Sequence, residues 1–266
     1  MFLERQFIEK PWGRSDLPPE FGASIGQRIG EIWYTETGQK PLPLLVKWLF
    51  TSEKLSIQVH PSDADAHRRG LPSGKEECWY IVEAEPGAVL GIGTRRPLTP
   101  QELRAAALCG GIEQLMDWKP AKAGDFYYIP AGTVHAIGAG ITLVEVQQPA
   151  DITYRLYDYG RPRELHLEDG VAVAQPRPYS DVRSGNARDS RCLVSGPHFW
   201  LQHIASPVAI GAIAEPGPYW IVPIGGILSI GGTGLVRGAC ALVDSLDGIA
   251  ADGAISLLVA GIATSR

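Results

Sequence analysis

Short segments in which apolar and polar residues alternate recur along the chain. In residues 55–60 (LSIQVH) the apolar side chains face one way, and the polar ones, including Gln58 and His60, face the other. Ile141–Gln148 (ITLVEVQQ) and Asp151–Tyr159 (DITYRLYDY) alternate in the same way. These period-two patterns predict strands, and the apolar run Leu44–Phe50 (LLVKWLF) predicts a buried one.

A polar row on a strand whose other face is apolar is typical of a barrel with a polar interior. The chain has 31 glycines and 21 prolines among 266 residues, which favours many short strands joined by turns. We therefore predict a mainly β protein whose first domain is a β-barrel with small helical inserts.

Two segments carry the end signals of helices. Ser62 is a predicted N-cap, and Gly70 is suited to the position that follows the last helical turn. Thr99–Cys109 has Pro100 at its first helical position and Glu102 where a capping box requires it. Ile112–Trp118 is predicted to be a second short helix.

The polar, glycine-containing stretch Asp181–Ser190 divides the chain into predicted domains at residues 1–180 and 181–266. The second domain is predicted to be a smaller β-sandwich or barrel with a structural role. Its predicted strands are Phe199–Ile204, Val208–Ala214, Tyr219–Val222, Ile227–Ile230, Gly238–Val243 and Ile255–Ala260.

Charge and cysteine usage narrow the cellular context. The net charge is -5, from 24 basic and 29 acidic residues, and no basic cluster indicates a nucleic-acid partner. The start, MFLERQFIEKPWGR, lacks the apolar core of a signal peptide, and no run approaches the ~20 apolar residues of a membrane span. The four cysteines are widely spaced, which favours reduced thiols. We expect a cytosolic protein without membrane partners.

Four residues offer ligands for a divalent metal ion. Gln58, His60, Glu77 and His135 supply an amide oxygen, two imidazoles and a carboxylate, and a catalytic metal needs about four such donors with one position open. A single histidine on a strand is more often a core or surface residue. Here, however, three separate segments each supply side chains that can bind a metal ion, which favours a metal site. They are QVH, KEECW and the stretch that ends at His135.

Two further polar residues leave alternatives open. Glu31 and Trp33 share one face of Gln27–Thr35, where they either close one end of a pocket or belong to a packed edge strand, and the edge strand is favoured. Lys47 interrupts a buried strand, so it either pairs with an anion or extends to the barrel mouth.

The stretch from Gly124 to His135 has the spacing G-x5-P-x-G-x2-H, which resembles the second motif of the cupin superfamily. In that motif two turns precede a metal-binding histidine. The resemblance implies a double-stranded β-helix, or jelly roll, for the first domain and a cupin-like second domain.

Longer blocks narrow the resemblance. LSIQVHPSD, GKEECWYIV, GDFYYIPAGTVHA and EVQQPADITYRLYDYGRPRELH resemble class I mannose-6-phosphate isomerases in their short bacterial form, from about Lys10 to His166. The resemblance implies one zinc ion per chain, with Gln58, His60, Glu77 and His135 as ligands. It also implies that Arg155, in the TYRLYD block, is an active-site residue.

The implied reaction interconverts mannose 6-phosphate and fructose 6-phosphate, so a sugar phosphate is the expected small-molecule partner. For the general base, alternation favours Glu145, which faces the barrel interior, and Asp151 is second. Glu145 can alternatively orient a ligand histidine. Lys75 is the first candidate for a phosphate or sugar-oxygen contact, ahead of Lys47.

The chain also departs from the family pattern. Glu76 replaces the usual threonine of the G-K-T-E block and is expected to add negative charge beside the site, and residues after Gly185 keep little similarity. Two other classes remain open: a cupin dioxygenase that uses iron or manganese, and a sugar-phosphate-binding cupin without activity. The expected oligomeric state is a monomer or homodimer.

Overall fold

The computed structural model describes residues 1–38, 41–187, 189 and 191–263. Strand is the predominant regular secondary structure of the described residues. The elements of residues 1–187 are β1 (Glu4–Arg14), β2 (Ile29–Thr35), β3 (Leu45–Thr51), β4 (Ile57–Val59), α1 (Asp63–Arg68), β5 (Glu77–Ala84), β6 (Val89–Thr94), α2 (Pro100–Cys109), α3 (Ile112–Leu115), β7 (Met116–Pro120), β8 (Asp125–Ile129), β9 (His135–Ile137), β10 (Ile141–Gln147), β11 (Tyr154–Tyr157), α4 (Leu167–Val173) and β12 (Gly185–Asn186).

The remaining strands follow residue 190. They are β13 (Arg191–Ser195), β14 (Phe199–Ile204), β15 (Tyr219–Ile230), β16 (Thr233–Val236), β17 (Ala241–Val243) and β18 (Ile249–Ile262). Short 3-10 helices lie at Pro19–Phe21 and Pro207–Ala212. None of the helices in the described ranges has both the length and the apolar character needed to cross a membrane.

The strands form three antiparallel sheets. The first has the order β1-β2-β3-β10-β5-β8-β12, and the second has the order β11-β4-β9-β6-β7. The third, β13-β14-β18-β15-β16 with β17 beside β15, is built only from residues after 190. The prediction of a mainly β protein is therefore confirmed.

The first sheet is covered on both faces. Trp79, Ile81 and Leu143 on one face share a core with Leu90 and Ile92 of the second sheet. The opposite face packs against the third sheet through a core that includes Trp48, Tyr128, Phe199, Trp220 and Leu258. Because both faces are buried, every residue of β3 and β10 is buried, which explains the apolar run LLVKWLF.

Both predicted helix starts are confirmed. Ser62 and Asp65 form a capping box at α1, and Thr99 and Glu102 form one at α2. The α2 helix ends at Gly110, whose φ of 76° is the left-handed conformation that glycine adopts without a steric penalty. Helices α2 and α4 cover the outer face of the second sheet with Leu103 and Val173.

Three element predictions are wrong. Residues 1–44, apart from a strand around Gln27–Thr35, were expected to be irregular, but β1 occupies Glu4–Arg14, where Pro11 interrupts the sequence pattern and the pairing with β2 has two register shifts. Val208–Ala214 begins after Pro207 and forms a 3-10 helix rather than a strand. The predicted helix Ile112–Trp118 ends at Leu115, because Met116–Pro120 pairs with β6 as a strand.

The second part of the chain contains longer strands than predicted. Tyr219–Ile230 is one strand, which joins two predicted strands across Gly225 and Gly226 with a register shift. The division at residues 180 and 181 stays a prediction, and Arg188 and Ser190 of the predicted boundary lie outside the described residues. The third sheet has its own second core, on the face away from the first sheet, that includes Trp200, Ile221 and Val259.

We predict that the contact between the first and third sheets makes a large contribution to stability. Phe199 is fully buried, and its ring centroid lies 6.0 Å from that of Tyr128 across this contact. Phe199→Ala should lower the free energy of unfolding by about 3–5 kcal/mol, because it removes a buried ring and leaves a cavity. Urea unfolding followed by tryptophan fluorescence measures the change.

Val208→Ala is the matched control, because Val208 is 86% exposed and the change should stay within about 0.5 kcal/mol. A loss of less than about 1 kcal/mol in Phe199→Ala would show that this contact does not hold the sheets together.

Candidate active site

Three buried side chains meet between the first and second sheets. His60 directly follows β4, Glu77 is the first residue of β5, and His135 is the first residue of β9. One ligand atom from each lies within 4.8 Å of the other two, and all three residues are at most 2% exposed. Three donors at such separations form a group that can bind a metal ion.

The hydrogen bonds of the two histidines fix which nitrogen faces the group. Nδ1 of His60 donates to the carbonyl of Ile152 at 2.7 Å, and Nδ1 of His135 donates to the carbonyl of Thr133 at 2.9 Å. The two Nε2 atoms are then unprotonated and lie 3.4 Å and 3.5 Å from the carboxylate oxygens of Glu77. Backbone acceptors of this kind orient metal-binding histidines in proteins.

Burial and charge set the protonation states that a cation requires. Burial, assisted by the nearby Lys75 ammonium, lowers the pKa of His60 to about 3, and burial also lowers the pKa of His135. Burial opposes ionisation of Glu77, but the charge of Lys75 and the interactions with His60 and His135 together outweigh it and hold the pKa of Glu77 well below its usual value. Two neutral imidazoles and a carboxylate result, and this donor set suits a divalent metal.

An orphaned polar atom supports the same conclusion. Nε2 of His60 is buried and has no hydrogen-bond partner in the part of the chain that the structure describes. An unprotonated, buried nitrogen without a donor is costly unless it binds a ligand. A cation bound to the His60–Glu77–His135 group would satisfy it.

Gln58 borders this group from the neighbouring strand. It lies opposite His135 in the register of β4 and β9, and its Nε2 is 3.3 Å from Nε2 of His135. Oε1 of Gln58 accepts a hydrogen bond from Ser56 at 3.0 Å. Because the amide oxygen and nitrogen can exchange places by a half-turn, Gln58 can present its oxygen to a cation. Its role as a fourth ligand stays a prediction.

A chain of alternating charges leads away from Glu77 through the buried interior. Nζ of Lys75 lies 3.0 Å from Oε2 of Glu77 and 3.8 Å from Oε1 of Glu145. Nζ of Lys47 lies 3.3 Å from Oε1 of Glu145 and 3.8 Å from Oε2 of Glu31. Of the two readings of Lys47, pairing with anions therefore applies, because this residue is only 3% exposed.

The pKa of the Glu145 carboxyl group is raised above its usual value. Burial is the main cause, and the negative charge of Glu77 adds to it. The indole Nε1 of Trp79 donates to Oε2 of Glu145 at 3.0 Å, which fixes the side chain. A fixed carboxyl group with a raised pKa can accept and release a proton near neutral pH.

These charged residues line one cavity of about 370 Å³. The volume falls in the range of pockets that bind small molecules. Arg155, on β11 opposite Gln58 of β4, also lines the cavity, and so does Asp151, an exposed residue in the loop before β11. Six of the eight predicted site residues thus line the cavity, and the other two, His60 and His135, adjoin it through their contact with Glu77. The individual roles of all eight stay predictions.

The sequence patterns did not predict several of the residues that line the cavity, or they predicted another position for them. Glu31 lines the cavity and is not on an edge strand, because β1 pairs along the outer side of β2. Arg163 and His166 also line the cavity, although no alternation pattern singles them out. Their position depends on a chain reversal after β11, where the N–H of His166 donates to the carbonyl of Arg155 at 2.8 Å.

Glu76 does not add negative charge to the cavity, contrary to expectation. It precedes Glu77 on an extended segment, so its side chain lies on the opposite side and accepts a hydrogen bond from the hydroxyl of Tyr128. Nε2 of His198, from the hairpin between β13 and β14, lies 3.9 Å from the Glu76 carboxylate. Glu76 therefore belongs to the contact with the third sheet.

No protein-family model matches the chain, but it is similar to known proteins both in sequence and in fold. The chain is 36% identical to mannose-6-phosphate isomerase of Streptococcus mutans, in an alignment that covers 84% of each protein. It is also 36% identical to mannose-6-phosphate isomerase ManA of Bacillus subtilis, over 66% of this chain and 68% of the relative.

The fold comparison covers almost the whole chain. The crystal structure of mannose 6-phosphate isomerase from Bacillus subtilis superposes with a TM-score of 0.80 at 29% identity, covering 98% of this chain and 99% of that one. The crystal structure of a variant of phosphomannose isomerase from Salmonella typhimurium has the same fold, with a TM-score of 0.70. Its sequence is only 14% identical to this chain, so this comparison supports the fold and nothing more. The predicted cupin-type fold is confirmed. Because the superposition with the Bacillus subtilis enzyme covers 98% of this chain, it includes the third sheet, where the sequence blocks typical of the family are absent.

We predict that loss of either buried histidine abolishes metal binding. His60→Ala and His135→Ala should each reduce bound divalent metal from about one ion per chain to below about 0.1, because only two of the three buried donors remain. Elemental analysis after metal loading and dialysis measures the content.

His67→Ala is the control, because His67 is an exposed histidine of α1 and the variant should keep its metal. Undiminished metal in His60→Ala would move the metal site away from the His60–Glu77–His135 group.

Proposed function

The chain belongs to the mannose-6-phosphate isomerase family, and we propose that it interconverts mannose 6-phosphate and fructose 6-phosphate. One observation of the site carries the proposal. A buried group that can bind a metal ion borders, through Glu77, the cavity that is also lined by Glu145, a fixed carboxyl group with a raised pKa. An electrophile and a base at one cavity are what proton transfer next to a carbonyl group requires.

The proposed cofactor is one zinc ion per chain, held by His60, Glu77 and His135 with Gln58 as the fourth ligand. Imidazole and carboxylate donors in this number suit zinc, and the two backbone acceptors preset both rings. Zinc bound there supplies a Lewis acid for the carbonyl and hydroxyl oxygens of the sugar.

Glu145 is the proposed general base. It removes the proton from C2 of the open-chain aldose and returns it to C1, while a second proton passes from O2 to O1. Trp79 fixes the carboxyl group, and burial raises the pKa of Glu145, which is the direction that favours a general base. Asp151 stays the second candidate, because it is exposed and less well placed to exclude water.

Two cations stabilise the negative charge that develops on the sugar oxygens. Burial opposes the charged form of Lys75, but Glu77 and Glu145 raise its pKa above the usual value, so it remains an ammonium group. Its place between these two carboxylates supports a contact with a sugar oxygen near the reacting carbons. Arg155, on the cavity wall, is proposed to bind another oxygen of the substrate.

The proposal extends to the cellular context. A cytosolic location and a monomeric or dimeric state remain predictions from the sequence alone. The sugar phosphate is the proposed partner, in agreement with the cationic side chains Lys75, Arg155 and Arg163 in the cavity.

We expect isomerase activity to depend on the metal. The purified chain should convert mannose 6-phosphate in an assay coupled to fructose 6-phosphate consumption. Chelation and dialysis should remove nearly all activity, and about one equivalent of zinc per chain should restore it. Oxygen uptake restored by iron, without isomerisation, would instead support a dioxygenase, and full activity in the metal-free chain would contradict the proposed role of zinc.

Glu145→Gln should lower kcat by about 100-fold to 10,000-fold and change KM by less than about threefold, because it removes the base and keeps the side-chain shape. Steady-state kinetics on zinc-loaded protein measure both constants. Glu83→Gln is the control, because Glu83 is a half-exposed β5 residue that pairs with Arg237 outside the cavity. A kcat within about tenfold of the original value would assign the base to Asp151.

A further inference from the structure

The segment after β11 folds back and returns to the cavity wall. The N–H of His166 donates to the carbonyl of Arg155 at 2.8 Å, and the N–H of Arg155 donates to Nδ1 of His166 at 3.3 Å. Arg163 lies in the returning part of this loop and lines the cavity together with Arg155. Two guanidinium groups therefore belong to the wall of one cavity.

A buried carboxylate holds one of these guanidinium groups. Asp158 is 2% exposed and is not itself a cavity residue. Its Oδ2 accepts a hydrogen bond from Nε of Arg163 at 2.6 Å, and its Oδ1 accepts one from Nη2 of Arg163 at 2.7 Å. Such a bidentate contact fixes both the position and the plane of the guanidinium group.

The same carboxylate is held from its other side by Arg161. Nη2 of Arg161 lies 2.9 Å from Oδ1 of Asp158 and donates to the carbonyl of Lys54 at 2.7 Å. Within this triad one negative charge faces two positive charges. A further carboxylate, that of the half-exposed Glu53, lies 3.9 Å from Nη1 of Arg161 and offsets part of the excess positive charge. Burial of Asp158 is offset by these contacts, and the rest of the excess charge remains available to an anion.

The bidentate contact leaves one side of Arg163 free. It occupies Nε and Nη2, and within the described ranges no residue accepts a hydrogen bond from Nη1. A guanidinium group that is already fixed loses little conformational freedom when it binds a ligand. Its planar donor set matches the oxygens of a phosphate group.

Arg155 and Arg163 are close enough to influence each other. Burial and then the positive charge of Arg163 lower the pKa of Arg155. An anion bound between two guanidinium groups reduces the repulsion between them and is attracted electrostatically by both. Asp151 is the nearby acidic cavity residue, and it is exposed to solvent, which weakens its competition for the two arginines.

We propose that Asp158 is a positioning residue, which holds Arg163 in the cavity wall as a receptor for the phosphate group of the substrate. This inference rests on the proposed function for the identity of the sugar. Gln58 lies opposite Arg155 in the register of β4 and β11, so the arginine side of the cavity adjoins the metal-binding group. The carbonyl end of a hexose phosphate binds near Glu77, its phosphate binds Arg163, and unphosphorylated hexoses lack this second contact.

Asp158→Asn tests the proposal in the full-length, zinc-loaded chain. The change keeps the shape of the side chain but removes its charge and one acceptor. KM for mannose 6-phosphate should rise about tenfold to 100-fold, while kcat changes by less than about threefold. The inhibition constant of inorganic phosphate should rise by the same factor as KM, whereas turnover of unphosphorylated mannose should not change.

A double-mutant cycle separates positioning from a direct role. Arg163→Gln should reproduce the loss of phosphate affinity. The double variant, with both Asp158→Asn and Arg163→Gln, should bind phosphate as tightly as Arg163→Gln alone, because Asp158 acts through Arg163. Asp169→Asn is the matched control: this exposed aspartate pairs with Arg69 on the surface, and its loss should leave all constants unchanged.

Two experimental results would overturn the proposed positioning role of Asp158. A merely structural role for Asp158 predicts a lower melting temperature and a lower kcat with an unchanged inhibition constant of phosphate, and that result overturns the proposal. If Asp158→Asn does not fold, Asp158→Glu replaces it, since it keeps the charge but moves it by one methylene. Unchanged phosphate affinity in both Asp158→Glu and Arg163→Gln also overturns the proposal.

The test remains informative if the chain does not isomerise mannose 6-phosphate. That result would refute the proposed function, and it is measured in the unmodified chain. Calorimetric titration with inorganic phosphate then compares the unmodified chain with Asp158→Asn. A weaker affinity in the variant supports the positioning role, and an equal affinity refutes it.

Discussion

The structure depends on the compensation of charges that are buried between two sheets. Three ammonium groups, those of the buried Lys47 and Lys75 and of the partly exposed Lys10, alternate with the carboxylates of Glu31, Glu77 and Glu145 at separations of 3.0–3.8 Å. Removing one of the buried members would leave a net charge of the opposite sign in a region of low dielectric constant. The six charges sum to zero when Glu145 is ionised, and a divalent cation and a phosphate dianion that enter together leave the net buried charge unchanged.

This compensation requires strands that cannot slip. Lys47 lies opposite Glu145 in the register of β3 and β10, and Gln147 lies opposite Glu77 in that of β10 and β5. A shift of one residue would turn these side chains into the apolar core on the other face of the sheet. The large aromatic residues of that face, which include Trp48 and Phe199, fix the register by their packing between the first and third sheets. The third sheet therefore supports the site without lining the cavity.

The sequence predicted more of the site than of the fold. Alternation placed Gln58 and Glu145 on interior faces, and capping residues predicted two helix starts, because these signals depend on a few neighbouring residues. The strand β1 was missed because its alternation is interrupted by Pro11 and by bulges, and only its pairing with β2 makes it a strand. Without β1, Glu31 was assigned to an edge and its place in the cavity was not recognised.

The sequence by itself determined the chemical types in the site: two histidines, glutamates, a glutamine and an arginine, in blocks typical of one family. The tertiary structure alone decided which charges are partners. Residues on different elements form the pairs Lys47–Glu145 and Asp63–His198. The chain reversal after β11 likewise brings Arg163 and His166 to a cavity whose other walls come from other elements. The reason is physical: a strand pattern specifies the face of a side chain, whereas its neighbour across the barrel depends on pairing and packing of the whole chain.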